Sequence, residues 1–210
     1  EACGCRCVAY SRLGFGRSSP RRTAHGPRFM HEEACEVLPQ IRQRLGIDRA
    51  ILLGHSTGAS IALLYAGVDP GGVAGVVALA PIVFVEPSNL QAIARARLAY
   101  QHTDLRARLA RHHDDVDSVF RGWSDTWLDP GFRDWSIEPD LARIVCPILA
   151  ILGDQDEYVS AAQADRIAQC AVRASRVQVL RLPRCGHAPH RDQPEPVIEA
   201  VRRFVESVPA

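Results

Sequence analysis

The segment AILLGHSTGASIALLYA, residues 50–66, constrains this chain more than any other. Its first part is a short apolar run of strand character, and its last part is a run of small and aliphatic residues that reads as a buried helix. Between them stands Gly54-His55-Ser56-Thr57-Gly58, a G-x-S-x-G sequence in the strand-to-helix context that such a turn requires. A turn this tight forces its central serine into a strained backbone and crowds the residues two positions away; glycine at 54 and at 58 is expected to relieve that crowding. The same geometry exposes Ser56 and aims the next backbone N–H, that of Thr57, at any negative charge developing beside it. The helix N-terminus adds partial positive charge. The bland alternative is an ordinary strand–helix turn with Ser56 as a cap. His55 is adjacent in sequence, but neighbours on such a turn point apart, so it is expected to pack.

Similar apolar, β-branched runs recur along the chain: CRCVAY (5–10), RAILLG (49–54), VAGVVALA (73–80), PILAILG (147–153) and RVQVLRL (176–182). Several are apolar almost throughout, as strands buried on both faces are. Helical patterns lie between them, at 31–45, 57–66, 161–171 and 196–208. Alternating strands and helices imply an α/β fold, a mostly parallel sheet flanked by helices. Residues 86–140 interrupt the alternation with a helical, arginine-rich stretch and GWSDTWLDPGFRDW. The expected organisation is a core of residues 1–85 and 141–210 with a cap or lid insertion at 86–140. Trp123 and Trp127 are its candidate substrate-lid residues, since ligand sites are often aromatic-lined. The competing reading is a peripheral packing subdomain whose tryptophans form their own small core.

A serine is a weak nucleophile without a base and an orienting acid. Both should sit where strands end, because open α/β sheets build their sites at the carboxyl ends. His187, in PRCGHAPHRDQP, directly follows the run 176–182; His190 is its near rival. His102, His112 and His113 fall in the insertion and are expected to be exposed, while His25 and His31 have no strand to aim them. After PILAILG come Asp154, Asp156 and Glu157. Asp156 is far enough along to reach back, whereas Asp154 suits a turn. The candidate catalytic residues are therefore Ser56, Asp156 and His187, in the order that G-x-S-x-G enzymes of this type use.

Composition narrows the function classes. The formal net charge is +1, so nothing calls for nucleic acid. All 25 basic residues are arginine, which reads as codon bias. No stretch approaches the roughly 18 apolar residues of a membrane span, and the opening EACGCRCVAY lacks a signal-peptide pattern. Seven cysteines, an odd number, argue against a disulfide framework and for a reducing, cytoplasmic setting. Cys3, Cys5 and Cys7 alternate, but without a second cluster they read as small hydrophobes rather than metal ligands. No metal and no cofactor is expected, and the partner is a small-molecule substrate. Oligomeric state is left open.

The segments YSRLGFGRSSP, LGHSTGASIALLYAG, VVALAP, GDQDEYV and CGHAPHRDQP resemble the α/β-hydrolase superfamily along the whole chain. The last two stretches are similar to those of a bacterial subgroup mostly unassigned in substrate. The resemblance implies a Ser56, Asp156, His187 triad, a helical cap, and a loop at 11–19 following the family's fourth strand. It departs at Ala59, where many relatives carry a second glycine, and at Ser11, where they often carry aspartate. The family also begins with three further strands and an HG-containing loop that supplies a second oxyanion N–H. Residue 1 falls just before the fourth strand, so the chain is expected to lack that region. Four contiguous strands, from 49–54 through 176–182, are then expected, with 5–10 poorly attached and the isolated chain aggregation-prone and nearly inactive.

Three functions are weighed. The first is hydrolysis of an ester, thioester or lactone of a small molecule through an acyl-enzyme on Ser56. The second uses the same triad to cleave a carbon–carbon bond in a ring-fission product. The third, from another class, is an inactive fragment or non-catalytic scaffold.

Overall fold

A computed structural model describes residues 3–19 and 26–209. They divide into two compact units, one of residues 3–4, 29–84 and 136–209, the other of residues 5–19, 26–28 and 85–135. His25 lies outside the described residues.

The first unit is built on a four-stranded parallel sheet, β1 (Ala50–His55), β2 (Val73–Leu79), β3 (Ile148–Gly153) and β4 (Val177–Leu182), in that spatial order. Every residue of β2 is buried, and so are all but the last of β3. This is why both runs are apolar without alternation. The edge strands carry polar or half-exposed residues, and Leu53 on β1 is 58% exposed. These four strands match the expected ones to within a residue at each end.

The run 5–10, of strand pattern but expected to be poorly attached, forms no strand. Residues 5–10 have no strand structure, are exposed, and belong to the second unit. Alternating apolar side chains suit a strand, but a strand exists only where a neighbour accepts its N–H groups and donates to its carbonyls. That partner is not a local property of the sequence.

Helices cover the sheet. The first, α1, spans residues 29–45. It runs through Phe29–Glu32, a wider π-helical turn at Glu33–Val37, and Leu38–Leu45. The wide turn ends two residues before Pro39, which has no N–H to complete the regular ladder. Next, α2 (Thr57–Val68) packs on β1 and β2, with eight successive buried residues from Ala59 to Ala66. Arg42 anchors α1 to its neighbours. Its Nη1 donates to the Tyr65 hydroxyl at 2.8 Å and to Asp69 at 2.5 Å, and its Nε donates to the Ile47 carbonyl at 3.2 Å. On the opposite face Val77, Leu79, Leu149, Ile151 and Leu182 meet Val197 and Phe204 of the C-terminal helix.

The second unit contains α3 (Pro87–His102), α4 (Leu105–Ala110) and α5 (Val116–Leu128). A capping box of Glu86 and Asn89 starts α3, and the Asp115 side chain caps α5. Tyr100 stacks on Phe120 at 3.8 Å and donates from its hydroxyl to Asp117, which also receives Arg106. The loop at 11–19 is tied to this unit. The Gly16 N–H donates to His113 Nδ1 at 3.0 Å, and the Asp114 N–H donates to the Gly16 carbonyl at 3.1 Å. His113, expected to be exposed, is therefore half-buried, and burial holds its pKa below the ordinary histidine value.

Trp127 is 1% exposed, with Phe132 and Trp135 both edge-on to it and stacked on each other. It packs within its own unit. Its indole N–H has no hydrogen-bond partner among the described residues, which costs about 1–3 kcal/mol. Trp127→Ala is therefore expected to destabilise this unit by about 3–5 kcal/mol. Trp127→Phe, which removes the unpaired donor and most of the ring's second half, should cost far less. Urea denaturation of both variants followed by fluorescence tests this; equal losses would contradict the packing assignment.

Candidate active site

The site is assembled from the carboxyl ends of β1, β3 and β4. At the end of β1, Ser56 has φ +54° and ψ −122°. A side-chain-bearing residue held there costs of order 1–3 kcal/mol and needs surroundings that enforce it. They do so from both sides. The Ser56 N–H donates to the Leu79 carbonyl at 2.8 Å, continuing the β1–β2 ladder past the strand. The Ser56 carbonyl already accepts from the N–H groups of Ala59 and Ser60, the first turn of α2. The Ser60 hydroxyl, buried beneath, donates to the Ile82 carbonyl at 2.5 Å.

So sharp a reversal brings backbone onto backbone. A Cβ at Gly54 would lie 2.2 Å from the Gly58 carbonyl oxygen, so no side chain fits. The expected crowding is nevertheless one-sided, because a Cβ at Gly58 would meet nothing outside its own helix within 4 Å. Thr57 is the first residue of α2 and directly follows the strained serine.

A second close approach lies between the β3 and β4 exits. A Cβ at Gly153 would stand 2.0 Å from the Cys185 carbonyl oxygen. Past it, the N–H groups of Asp154 and Gln155 donate to the carbonyls of Leu182 and Cys185 at 3.0 and 2.9 Å. The loop after β4 is further held by Gly186 N–H to Asp192 and by Gln193 to the Pro183 carbonyl. The two loops are thereby locked together at their main chains, each with one candidate residue at its tip.

The three expected residues meet. His187 Nε2 lies 3.0 Å from Ser56 Oγ, and His187 Nδ1 lies 2.8 and 3.0 Å from the two oxygens of Asp156. Asp156 Oδ1 also accepts the N–H groups of Tyr158 and Val159 at 2.8 and 3.0 Å, and its side chain is fully buried. Three donors thus take the place of water and fix the plane of the carboxyl group. With Nδ1–H donating to Asp156, the Nε2 lone pair faces the serine hydroxyl. The Tyr158 ring packs on the His187 ring at 4.7 Å between centroids.

The rivals are placed elsewhere. Asp154 is exposed and joins the loop through its main chain. His190 is exposed, with its ring edge against His55. His31 contacts Asp140 at 3.4 Å, and His102 and His112 are exposed in the second unit. Trp123 is half-buried beside Phe120. Among the described residues no three His, Cys, Asp or Glu side chains converge as a metal site would require. No described helix is long and apolar enough to cross a membrane.

One residue at the site was not singled out by sequence. His55 does more than pack: its Nε2 is 2.6 Å from the main-chain carbonyl of His187. Burial lowers its pKa below the ordinary histidine value, opposed in part by that hydrogen bond.

A parallel sheet with a strained serine at one strand end, and a histidine and an aspartate delivered by two later strand ends, defines a nucleophile-elbow protein of the α/β type. The chain belongs to the alpha/beta hydrolase family, whose model matches residues 1–200, and it is an enzyme of that family. It is 28% identical over 191 residues to a non-heme chloroperoxidase of Streptomyces lividans, covering 77% of this chain and 68% of that protein. Solved structures share the fold. A membrane phospholipase A described as a bacterial virulence factor superposes with a TM-score of 0.72 at 21% identity, over 92% of this chain and 67% of its own. A thermophilic esterase from Thermogutta terrifontis does so with a TM-score of 0.65 at 18% identity, over 92% and 77%.

The asymmetry of the elbow glycines is directly testable. Gly54→Ala is expected to lower stability by about 3 kcal/mol or more, because backbone would have to move. Gly58→Ala should stay within about 0.5 kcal/mol of the parent. Denaturant titration of the two variants decides; similar losses would mean that the turn is crowded on both sides.

Proposed function

We propose that this protein is a serine hydrolase that cleaves an ester, thioester or lactone of a small molecule through an acyl-enzyme on Ser56. The observation that carries the reading is the unbroken chain of contacts from Ser56 Oγ through both ring nitrogens of His187 to the buried carboxyl of Asp156.

In this reading the Ser56 oxygen attacks the acyl carbon while its proton passes to His187 Nε2. The Thr57 N–H stabilises the oxyanion of the tetrahedral intermediate. The His187 proton then moves to the leaving group as its bond to the acyl carbon breaks. Water repeats the sequence in reverse roles and releases the acid. Asp156 keeps the imidazole in the tautomer that presents a lone pair to serine and favours the imidazolium as it forms. The named esterase among the structural neighbours supports an ester bond as the first substrate class to try. From the sequence alone, residues 86–140 are proposed as a substrate-selecting cap, with Trp123 and Trp127 as its candidate contact residues.

A fluorophosphonate probe should label the protein at Ser56 and leave Ser56→Ala unlabelled. Asp156→Asn should lower kcat on a nitrophenyl ester by about 10⁴-fold, and Asp154→Asn should change it little. Labelling at another serine, or greater damage from Asp154→Asn, would overturn the assignment.

A further inference from the structure

We infer that His55 is a positioning residue for the base: its Nε2–H holds the main-chain carbonyl of His187 and so couples the nucleophile turn to the loop that carries the imidazole. This rests on the hydrolase reading given above.

The side-chain contacts of His187 fix its ring at two nitrogens, but they do not fix the loop behind it. The loop from 183 to 188 is irregular, with Arg184 at φ +54°. Its main-chain ties at Cys185 and Gly186 lie before His187, and the next, Arg191 N–H to the Ala188 carbonyl, lies after it. At His187 itself the tie is the 2.6 Å contact from His55. Rotation of the 187–188 peptide would swing the Cα of His187 and move Nε2 off the serine oxygen. A hydrogen bond to that peptide's carbonyl opposes the rotation directly.

The placement of His55 in the chain makes this tie informative. It is the residue immediately before Ser56, at the end of β1. One dipeptide therefore holds the nucleophile with one residue and the backbone of its base with the other. A shift of the elbow carries the base with it, so their separation is preserved. An error of about 1 Å in such a separation can cost on the order of 10²-fold in rate.

The acceptor also defines the state of the His55 ring. A carbonyl only accepts, so Nε2 must carry the proton, and in the neutral ring Nδ1 does not. The ring sits 5.0 Å from that of His187 and 4.9 Å from that of His190, centroid to centroid. A cation there would oppose the imidazolium that His187 becomes during acylation. The neutral ring that burial favours meets both requirements.

The test has two arms. In the first, long-range nitrogen-15 spectra of the full chain should show His55 as the Nε2–H tautomer. The His187 carbonyl carbon should shift when His55→Phe removes the donor. This arm needs no turnover, and in the parent protein it reads the bond even if a variant fails to fold. In the second arm, on a nitrophenyl ester, His55→Phe should lower kcat by about 10-fold or more with KM little changed. His55→Gln, which keeps an N–H donor, should recover much of that loss. An Nδ1–H tautomer in the parent, or a folded His55→Phe with parental kcat, would overturn the proposal. So would equal losses in the Phe and Gln variants. Absence of any Ser56 adduct in the parent would instead count against the hydrolase reading, with the spectroscopic result standing apart.

Discussion

Two contacts of main chain on main chain organise this molecule. At Gly54 the strand leaving the sheet comes so close to the helix it feeds that a methyl group would overlap the Gly58 carbonyl. At Gly153 the exit of β3 comes equally close to the loop beyond β4. The first contact makes the reversal that holds Ser56 at a positive φ. The second brings the loops bearing Asp156 and His187 within hydrogen-bonding distance of each other, through the amides of residues 154 and 155. Side chains of any other kind at these two positions would push the elements apart. The separations of 2.8–3.0 Å along Ser56, His187 and Asp156 would go with them.

The strain at Ser56 is sustained because its surroundings are stiff. Its amide extends the pairing with β2, its carbonyl begins α2, and the strand it leaves lies beside the fully buried β2. A side chain held in place in this way needs no rearrangement to keep its position, which is the sense in which stability elsewhere in the sheet supports the proposed chemistry. Asp156 follows the same logic: it is removed from water, yet each of its donors comes from a rigid neighbour, two of them main-chain amides of its own turn.

Much of this was legible in the sequence for a physical reason. Strands buried on both faces must be apolar throughout, so the runs around Val76 and Leu149 mark β2 and β3 directly, while the half-exposed edge strands β1 and β4 keep apolar residues around Leu52 and Val179. Residues aimed from the carboxyl ends of such strands are few, and the three expected there, Ser56, Asp156 and His187, lie within hydrogen-bonding distance of one another. CRCVAY has the pattern of a strand, but its poor attachment was expected, because a strand needs a pairing neighbour. What escaped depended on partners distant in sequence. Trp127 and Trp123 look alike in GWSDTWLDP, yet Trp127 is enclosed by Phe132 and Trp135 while Trp123 is half-exposed. The His55 contact requires knowing which carbonyl the loop after β4 brings to it, and no local pattern encodes that.

The central claim is that the strained serine carries the acyl group during turnover. The most direct measurement is rapid quenching of the protein with a slowly deacylating nitrophenyl ester, followed by intact-mass and peptide analysis. The account predicts a transient mass increase equal to the acyl group, formed with the burst of nitrophenol and located on the peptide containing Ser56. Nitrophenol release with no acyl adduct, or an adduct on another peptide, would contradict it.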